Sequence, residues 1–267
     1  MEELRVVLQL YAWIALTILL LMTLLWLASL ALRDSSIVDI FWGAGFVVVN
    51  WVALLLAERP PDSRQWLLSV LVTVWGTRLS LHILRRNRGR GEDFRYRKWR
   101  EEAGSNWWWR SYVKVFLIQG LLMAAIAAPL VAVHAWGDRG GWPPLALIAV
   151  PLWLFGFFFE AAGDSQLARF RANPAHKGKL LSTGVWRYTR HPNYFGDSAQ
   201  WWAYFLVAAS FPGGFWTVFS PILMTMLLAC VSGAAMLERT LKETKPGYRE
   251  YMERTSAFIP WLPRKPR

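Results

Sequence analysis

The sequence predicts an all-α fold, a polytopic membrane protein of seven transmembrane helices with the N-terminus outside and the C-terminus cytoplasmic. Three observations lead there. Of 267 residues, 55% are hydrophobic and the mean hydropathy is +0.24, above the usual content of a soluble domain. The apolar residues gather into seven runs, each near the ~20 residues that cross a bilayer core. Eighteen tryptophans fit the same picture, because an indole joins an apolar body to a polar tip and collects at the membrane–water boundary.

In chain order the runs are Val6–Leu32, Ile37–Ala57, Trp66–Leu84, Tyr112–Val133, Pro144–Ala162, Tyr194–Ser210 and Phe215–Leu237. The first exceeds the ~7–15 apolar residues of a secretory signal and no small-residue cleavage site follows, so it is expected to remain as a spanning helix. The gaps Arg33–Ser36 and Phe211–Gly214 are long enough only for tight turns. No repeat or low-complexity linker divides the chain, so residues 1–267 are expected to form a single membrane domain. The lone Cys230 excludes an intrachain disulfide, and its apolar surroundings predict a buried small hydrophobe.

The loops between the runs set orientation. Residues 85–111 carry nine arginines and lysines, among them Arg90, Arg95 and Arg110. Residues 163–192 carry Arg169, Arg171, Lys177, Lys179, Arg187 and Arg190, and the tail adds eight more from Arg239 to Arg267. With seven spans all three segments share one side. The other side holds only Arg5, Arg59, Arg64 and Arg139, and the positive-inside bias places the basic side in the cytoplasm. The net charge of +12 is then explained by basic loops facing anionic lipid, so membrane lipids are expected partners and nucleic acid is not.

Polar groups inside apolar runs are costly and mark function or pairing. The second run holds Asp39 and Asn50, the third Arg78 and His82, the fourth Gln119. Glu160 and Asp164 end the fifth, four residues apart and so on one helical face, as are Arg78 and His82. Arg171 returns to the face of Asp164 only if that helix continues. The bland alternative is that these groups snorkel or pair with one another.

The densest chemistry is Gly184-Val-Trp-Arg-Tyr-Thr-Arg-His-Pro-Asn-Tyr-Phe-Gly-Asp197, directly before the sixth run. Pro192 biases His191 away from helix and interrupts the approach to the span. Around it, arginine forks suit phosphate, amide and hydroxyl groups suit a base or ribose, and a carboxylate suits a sugar hydroxyl. A large anionic nucleotide needs that inventory. A basic turn gripping lipid headgroups is the simpler reading of the same residues. No metal site is expected. His134, His176 and His191 fall in separate loops, and no His or Cys spacing supports zinc. No Walker loop is present, and Gly89-Arg-Gly91 lacks a strand–turn–helix context.

These segments resemble the steroid 5-alpha-reductase-like membrane proteins. The resemblance rests on Gly184–Asp197, on Phe159–Arg171, and on Tyr248-Arg-Glu-Tyr251 with Phe258-Ile-Pro-Trp261. It extends to Val38-Asp-Ile-Phe-Trp-Gly43 and Asn87-Arg-Gly-Arg-Gly-Glu-Asp93. The nearest branch is the mostly bacterial domain of unknown function 1295. Sterol reductases carry a similar core element, and isoprenylcysteine carboxyl methyltransferases a shorter one. The resemblance implies a substrate half, residues 1–133, and a cofactor half, residues 134–267, enclosing NADPH from the cytoplasm of a bacterial inner membrane. Carried over, the cofactor positions are Arg90, Asp164, Arg171, Asn193 and Asp197. Glu160 stands where an amide is common. Tyr188, Arg190, His191 and Tyr194 are local contacts, and Glu238 and Tyr248 close the pocket from the tail.

The substrate end departs from that pattern. Steroid reduction uses a tyrosine supported by a glutamine–glutamate pair, whereas the second run reads Ile40-Phe-Trp-Gly-Ala-Gly-Phe-Val-Val-Val-Asn50 and Trp75 occupies the tyrosine's place. Indole donates a hydrogen bond but is no proton-donating acid. Asp39, Arg78 and His82 are the candidate catalytic substitutes. Three functions remain open: an NADPH-dependent oxidoreductase reducing a lipophilic unsaturated substrate, an S-adenosylmethionine-dependent lipid or prenyl methyltransferase, and a non-enzymatic lipid-binding protein.

Overall fold

The computed structural model describes residues 2–58, 60–136, 143–211, 213–231, 238 and 241–264. Arg59, Arg139, Arg239 and the end of the seventh predicted run, 232–237, lie outside the described residues. Helices dominate. Among the described residues the only pairing of extended backbone is an isolated parallel bridge between Thr189 and Ser256. Five helical runs are long and apolar enough to cross a membrane: Leu4–Leu32, Ile37–Leu55, Ser63–Asn87, Phe94–Ile126 and Pro144–Ala172. A shorter apolar helix covers Gly214–Cys230. Cys230 is exposed rather than buried; an apolar neighbourhood in a membrane helix predicts contact with lipid as readily as burial.

The chain folds as two compact units, Met1–Trp142 with Val207–Thr217, and Pro143–Leu206 with Val218–Arg267. The first holds α1 (Glu2–Leu32), α2 (Ile37–Leu55) and α3 (Ser63–Asn87). α1 turns a stripe of leucines outward, from Leu8 and Leu16 to Leu24 and Leu27, each at least half exposed. Side chains that would be driven inward in water are solvated here by hydrocarbon. α2 and α3 cross at Gly43 and Gly76, where a Cβ on Gly43 would meet the Gly76 carbonyl oxygen at 2.4 Å; small residues let two backbones approach that closely. Asp62 caps α3 by accepting from the backbone of Arg64 and Gln65, while Gln65 reciprocates, satisfying otherwise orphaned amides. Arg64, expected among the few cations of that side, is buried against Asp62 at 3.1 Å and adds little to the charge asymmetry.

α4 (Phe94–Ala103), α5 (Trp107–Ser111) and a π-helical turn, Tyr112–Leu117, lead into α6 (Ile118–Ile126) and α7 (Ala128–Ala135). The fourth predicted run is therefore not one helix. It starts earlier, and it breaks at Ala127 because Pro129 has no amide to continue the ladder and instead opens α7.

The second unit holds α8 (Pro144–Ala172), α9 (Pro192–Ala209) up to residue 206, α10 (Phe219–Met226) and α11 (Tyr248–Arg254). α8 continues ten residues past its predicted end, so Arg171 does share a helix with Glu160 and Asp164. At ~1.5 Å per residue it is roughly 44 Å long, against ~30 Å for a hydrocarbon core, and its charges gather in the C-terminal third. Pro192 begins α9, where its missing amide costs nothing.

Candidate functional site

The site is built where α8 and α9 cross antiparallel within the second unit. A Cβ on Gly196 would lie 2.4 Å from both the Gly156 carbonyl oxygen and the Glu160 amide nitrogen. At Gly163 the fit is tight but less extreme, with a Cβ 3.0 Å from Pro192 Cγ and 3.1 Å from the Asn193 amide nitrogen. With the backbones this close, the polar side chains beside the glycines meet directly. Asn193 Nδ2 donates to Asp164 Oδ1 at 3.1 Å. Gln200 Nε2 donates to Glu160 Oε2 at 2.7 Å and to the Gly196 carbonyl. Further along, Trp153 Nε1 donates to the Tyr204 hydroxyl at 2.9 Å. Asp197 lies on the same stripe of α9, and Glu160, Asp164 and Asp197 are 2%, 7% and 7% exposed. Three carboxylates in one sheltered seam are an expensive arrangement that a purely structural crossing does not need.

Gln200 and Tyr204 were not singled out from the sequence. The signal was present: Asn193, Asp197, Gln200 and Tyr204 recur at i, i+4, i+7 and i+11, one helical face. Gln200 Oε1 is buried and has no hydrogen-bond partner, an acceptor that a ligand amide or hydroxyl would satisfy.

The residues before α9 serve architecture first. Gly184, at φ +64°, turns where any Cβ would strike the Gln166 side chain. Val185 and Trp186 pack on Phe159, and Trp186 Nε1 donates to the Gly163 carbonyl at 3.1 Å. Tyr188-Thr-Arg190 then pairs with the tail: Arg190 N donates to Ser256 O, Trp261 N to Tyr188 O, and Thr189 Oγ1 to Phe258 O. Tyr251 donates to the Trp186 carbonyl. The resemblance segments of the tail and the loop are thus two sides of one joint.

Arg190 is the pin of that joint. Its Nε donates to Glu238 Oε1 at 2.8 Å, and its Nη1 to the carbonyls of Met252 and Thr255 at 3.0 and 2.8 Å. Much of its donor fork, expected at a phosphate, is committed to the protein. His191 Nε2 shares Glu238 Oε1 at 3.1 Å, and its ring stacks on Tyr194 with centroids 5.7 Å apart. Burial holds the His191 imidazole below its usual value of 6.5, outweighing the pull of Glu238. Burial also pushes Glu238 up, but its contacts with Arg190 and His191 prevail and leave it below 4.5. A neutral imidazole donating to an ionised carboxylate follows. Tyr248 is pushed to about 12, burial being the main cause.

The remaining cofactor candidates divide. Arg171 and Tyr188 are exposed in the second unit, and Arg90 is exposed in the first. Beside Tyr248, Lys242, Lys245 and Arg249 line a surface cleft of about 400 Å³ together with Glu243 and Glu250.

The candidate catalytic groups lie in the first unit. Asp39 accepts from Arg95 Nη2 at 2.9 Å and from the Tyr96 hydroxyl at 2.7 Å, while Arg95 also binds Asp93 at 2.9 Å. Glu92 similarly holds Arg100 at 2.8 Å and the Ser35 amide. Asp39 is thus engaged in fastening α4 to α2. Sequence reading missed Tyr96 and Arg95 as its partners because they lie 57 and 56 residues away. Arg78 and His82, one turn apart on α3, are half-buried. Asn50 pairs with His134 at 2.9 Å, the bland expectation of mutual pairing. Among the described residues no group of three or more His, Cys, Asp or Glu side chains could hold a metal ion.

Comparison with known proteins places the whole chain rather than single residues. An uncharacterized protein of Schizosaccharomyces pombe, C594.04c, is 28% identical over 269 residues, covering 89% of this chain and 76% of the relative. The Delta(14)-sterol reductase LBR of Gallus gallus is 37% identical over 87 residues, 28% of this chain and 13% of that protein. Relatives in a yeast and a bird carry the resemblance beyond bacteria. No solved structure matches. The family model described as "Protein of unknown function (DUF1295)" matches residues 25–255, and the chain therefore belongs to that family, the steroid 5-alpha-reductase-like branch that its motifs resemble.

Proposed function

We propose that the protein is an NADPH-dependent membrane reductase that acts on an unsaturated, lipid-dissolved substrate, with its basic loops and tail on the cytoplasmic side of seven spans. The observation that carries this reading is the sheltered seam of Glu160, Asp164, Asn193, Asp197 and Gln200. The seam fits the polar parts of a nicotinamide nucleotide. Its carboxylates would accept from ribose hydroxyls, and the Gln200 oxygen without a partner would accept from a carboxamide. Arg171 at the C-terminal end of α8, and Lys242, Lys245 and Arg249 beside Tyr248, supply cations for phosphates. Bound there, NADPH would supply the hydride. Asp164 would hold Asn193, Glu160 would hold Gln200, and the joint pinned by Arg190 and Glu238 would keep the tail over the seam's entrance and exclude water. The local likeness to a chicken sterol reductase supports a reductive chemistry.

One observation also favours methyl transfer: three carboxylates suit a cationic sulfonium as well as a ribose. Purified protein incubated with a total lipid extract separates the two. Deuterium from the C4 position of NADPH is expected in a lipid product whose mass rises by one hydrogen and one deuterium. Labelled methyl appearing in lipid from S-adenosylmethionine, with no deuterium transfer, would overturn the reductase reading.

A further inference from the structure

We propose that the cleft between α4 and the start of the following helix binds the phosphodiester headgroup of one anionic phospholipid. The cleft measures about 190 Å³, room for a phosphate ester. Trp99 and Trp107 wall it. On its rim Arg110 and Lys114 sit one helical turn apart, both exposed. Lys114 Nζ lies 4.2 Å from the Trp99 ring centre and Arg110 Cζ lies 5.5 Å from that of Trp109. Both cations are therefore drawn over aromatic faces at a height where indoles meet headgroups. The rim's acid, Glu102, lies 4.0 Å from Lys98, which tempers its repulsion.

What lies below decides between a lipid and a free anion. Val113, Ile118 and Leu121 descend from the cleft on the same helical run and are 51%, 48% and 72% exposed, an apolar track for an acyl chain. A free phosphate has no use for that track. The three consecutive tryptophans Trp107, Trp108 and Trp109 play different parts: Trp107 is buried and donates to Ser35 Oγ at 3.2 Å, while the Trp108 carbonyl accepts from Trp26. These bonds fix the cleft's back wall and leave Trp108 and Trp109 facing outward. A charge clamp of two cations on a fixed wall matches a singly charged diester, whose phosphate accepts from both.

Native mass spectrometry of the full chain, titrated with phosphatidylglycerol or phosphatidylcholine of identical acyl chains, tests the site. One phosphatidylglycerol is expected to stay bound at a concentration at least about tenfold below that needed for phosphatidylcholine. Arg110→Gln and Lys114→Gln should each raise that concentration about fivefold, the weight of one near-surface cation, whereas Arg97→Gln, on exposed α4 surface, should not. Inorganic phosphate at millimolar concentration should not compete. In the wild-type protein, phosphatidylglycerol should also slow amide exchange across residues 107–117, a readout that needs no variant. Equal retention of the two lipids, an Arg97→Gln effect equal to the others, displacement by phosphate, or unchanged exchange would each overturn the proposal.

Discussion

A methyl group on Gly196 would strike the backbone of α8 at 2.4 Å, so at this residue the helix crossing and the polar seam depend on the same missing atom. Gly196→Ala should cost about 1–3 kcal/mol, as overpacking of a fixed contact does, and also weaken nucleotide binding because Asn193 and Gln200 move away from Asp164 and Glu160. Thermal denaturation in detergent reads the first effect; an unaltered melting temperature would mean that the helices can part freely. This dual role explains what the sequence made legible. The Arg190–Asp197 element stood out by its residue types. Its division of labour did not, because the partners of Arg190 lie 48 to 65 residues away, at Glu238, Met252 and Thr255. Residue type announced a phosphate ligand; geometry made the guanidinium a pin.

At the scale of elements, the joint between the loop 184–191 and the tail should be sensitive to acid. His191 is held below 6.5, so as pH falls below that value the undocked imidazole takes up a proton first and docking weakens. Glu238 is held below 4.5, so its stabilisation is complete above 4.5 and is lost as pH falls through its lowered value. Both losses run in the same direction, in succession. Limited proteolysis of the tail should therefore accelerate from about pH 6.5 downward and again below about 4.5, with no change between pH 7 and 8. A rate that stays constant from pH 7 down to pH 4 would contradict the burial of His191 and the docking of Glu238 on Arg190. Helix existence was legible in the apolar runs, and α1, α2 and α3 lie within a few residues of expectation. The fourth run was misread because hydropathy counts Pro129 as one more tolerated residue, while the backbone counts a missing donor. The end of α8 was missed for the opposite reason: Gly163–Ala172 is too polar for hydrocarbon, yet remains helical beyond it.

For the whole molecule, five apolar helical runs and a shorter sixth leave the seven-span arrangement to be measured. After Cys230→Ser, single cysteines replacing Lys98, Lys179 and Lys245 should react with an impermeant maleimide only from the cytoplasmic side, and one replacing Glu58 only from the other. Labelling of Lys98→Cys and Lys179→Cys from opposite sides would overturn the count. Charge asymmetry made orientation arguable from the sequence. What was not legible there is the place of the short stretch Val207–Thr217, which joins the first unit although the residues on either side belong to the second.

The account's central claim is that the α8–α9 seam receives a nicotinamide nucleotide, and quenching of intrinsic fluorescence by NADPH measures this most directly. Saturable quenching is expected for the wild-type protein. Asn193→Ala and Asp197→Ala should each weaken it about tenfold or more, the loss from removing one buried hydrogen-bonding partner, while both variants remain folded. Wild-type protein that never saturates, or variants that bind NADPH as the wild type does, would contradict it.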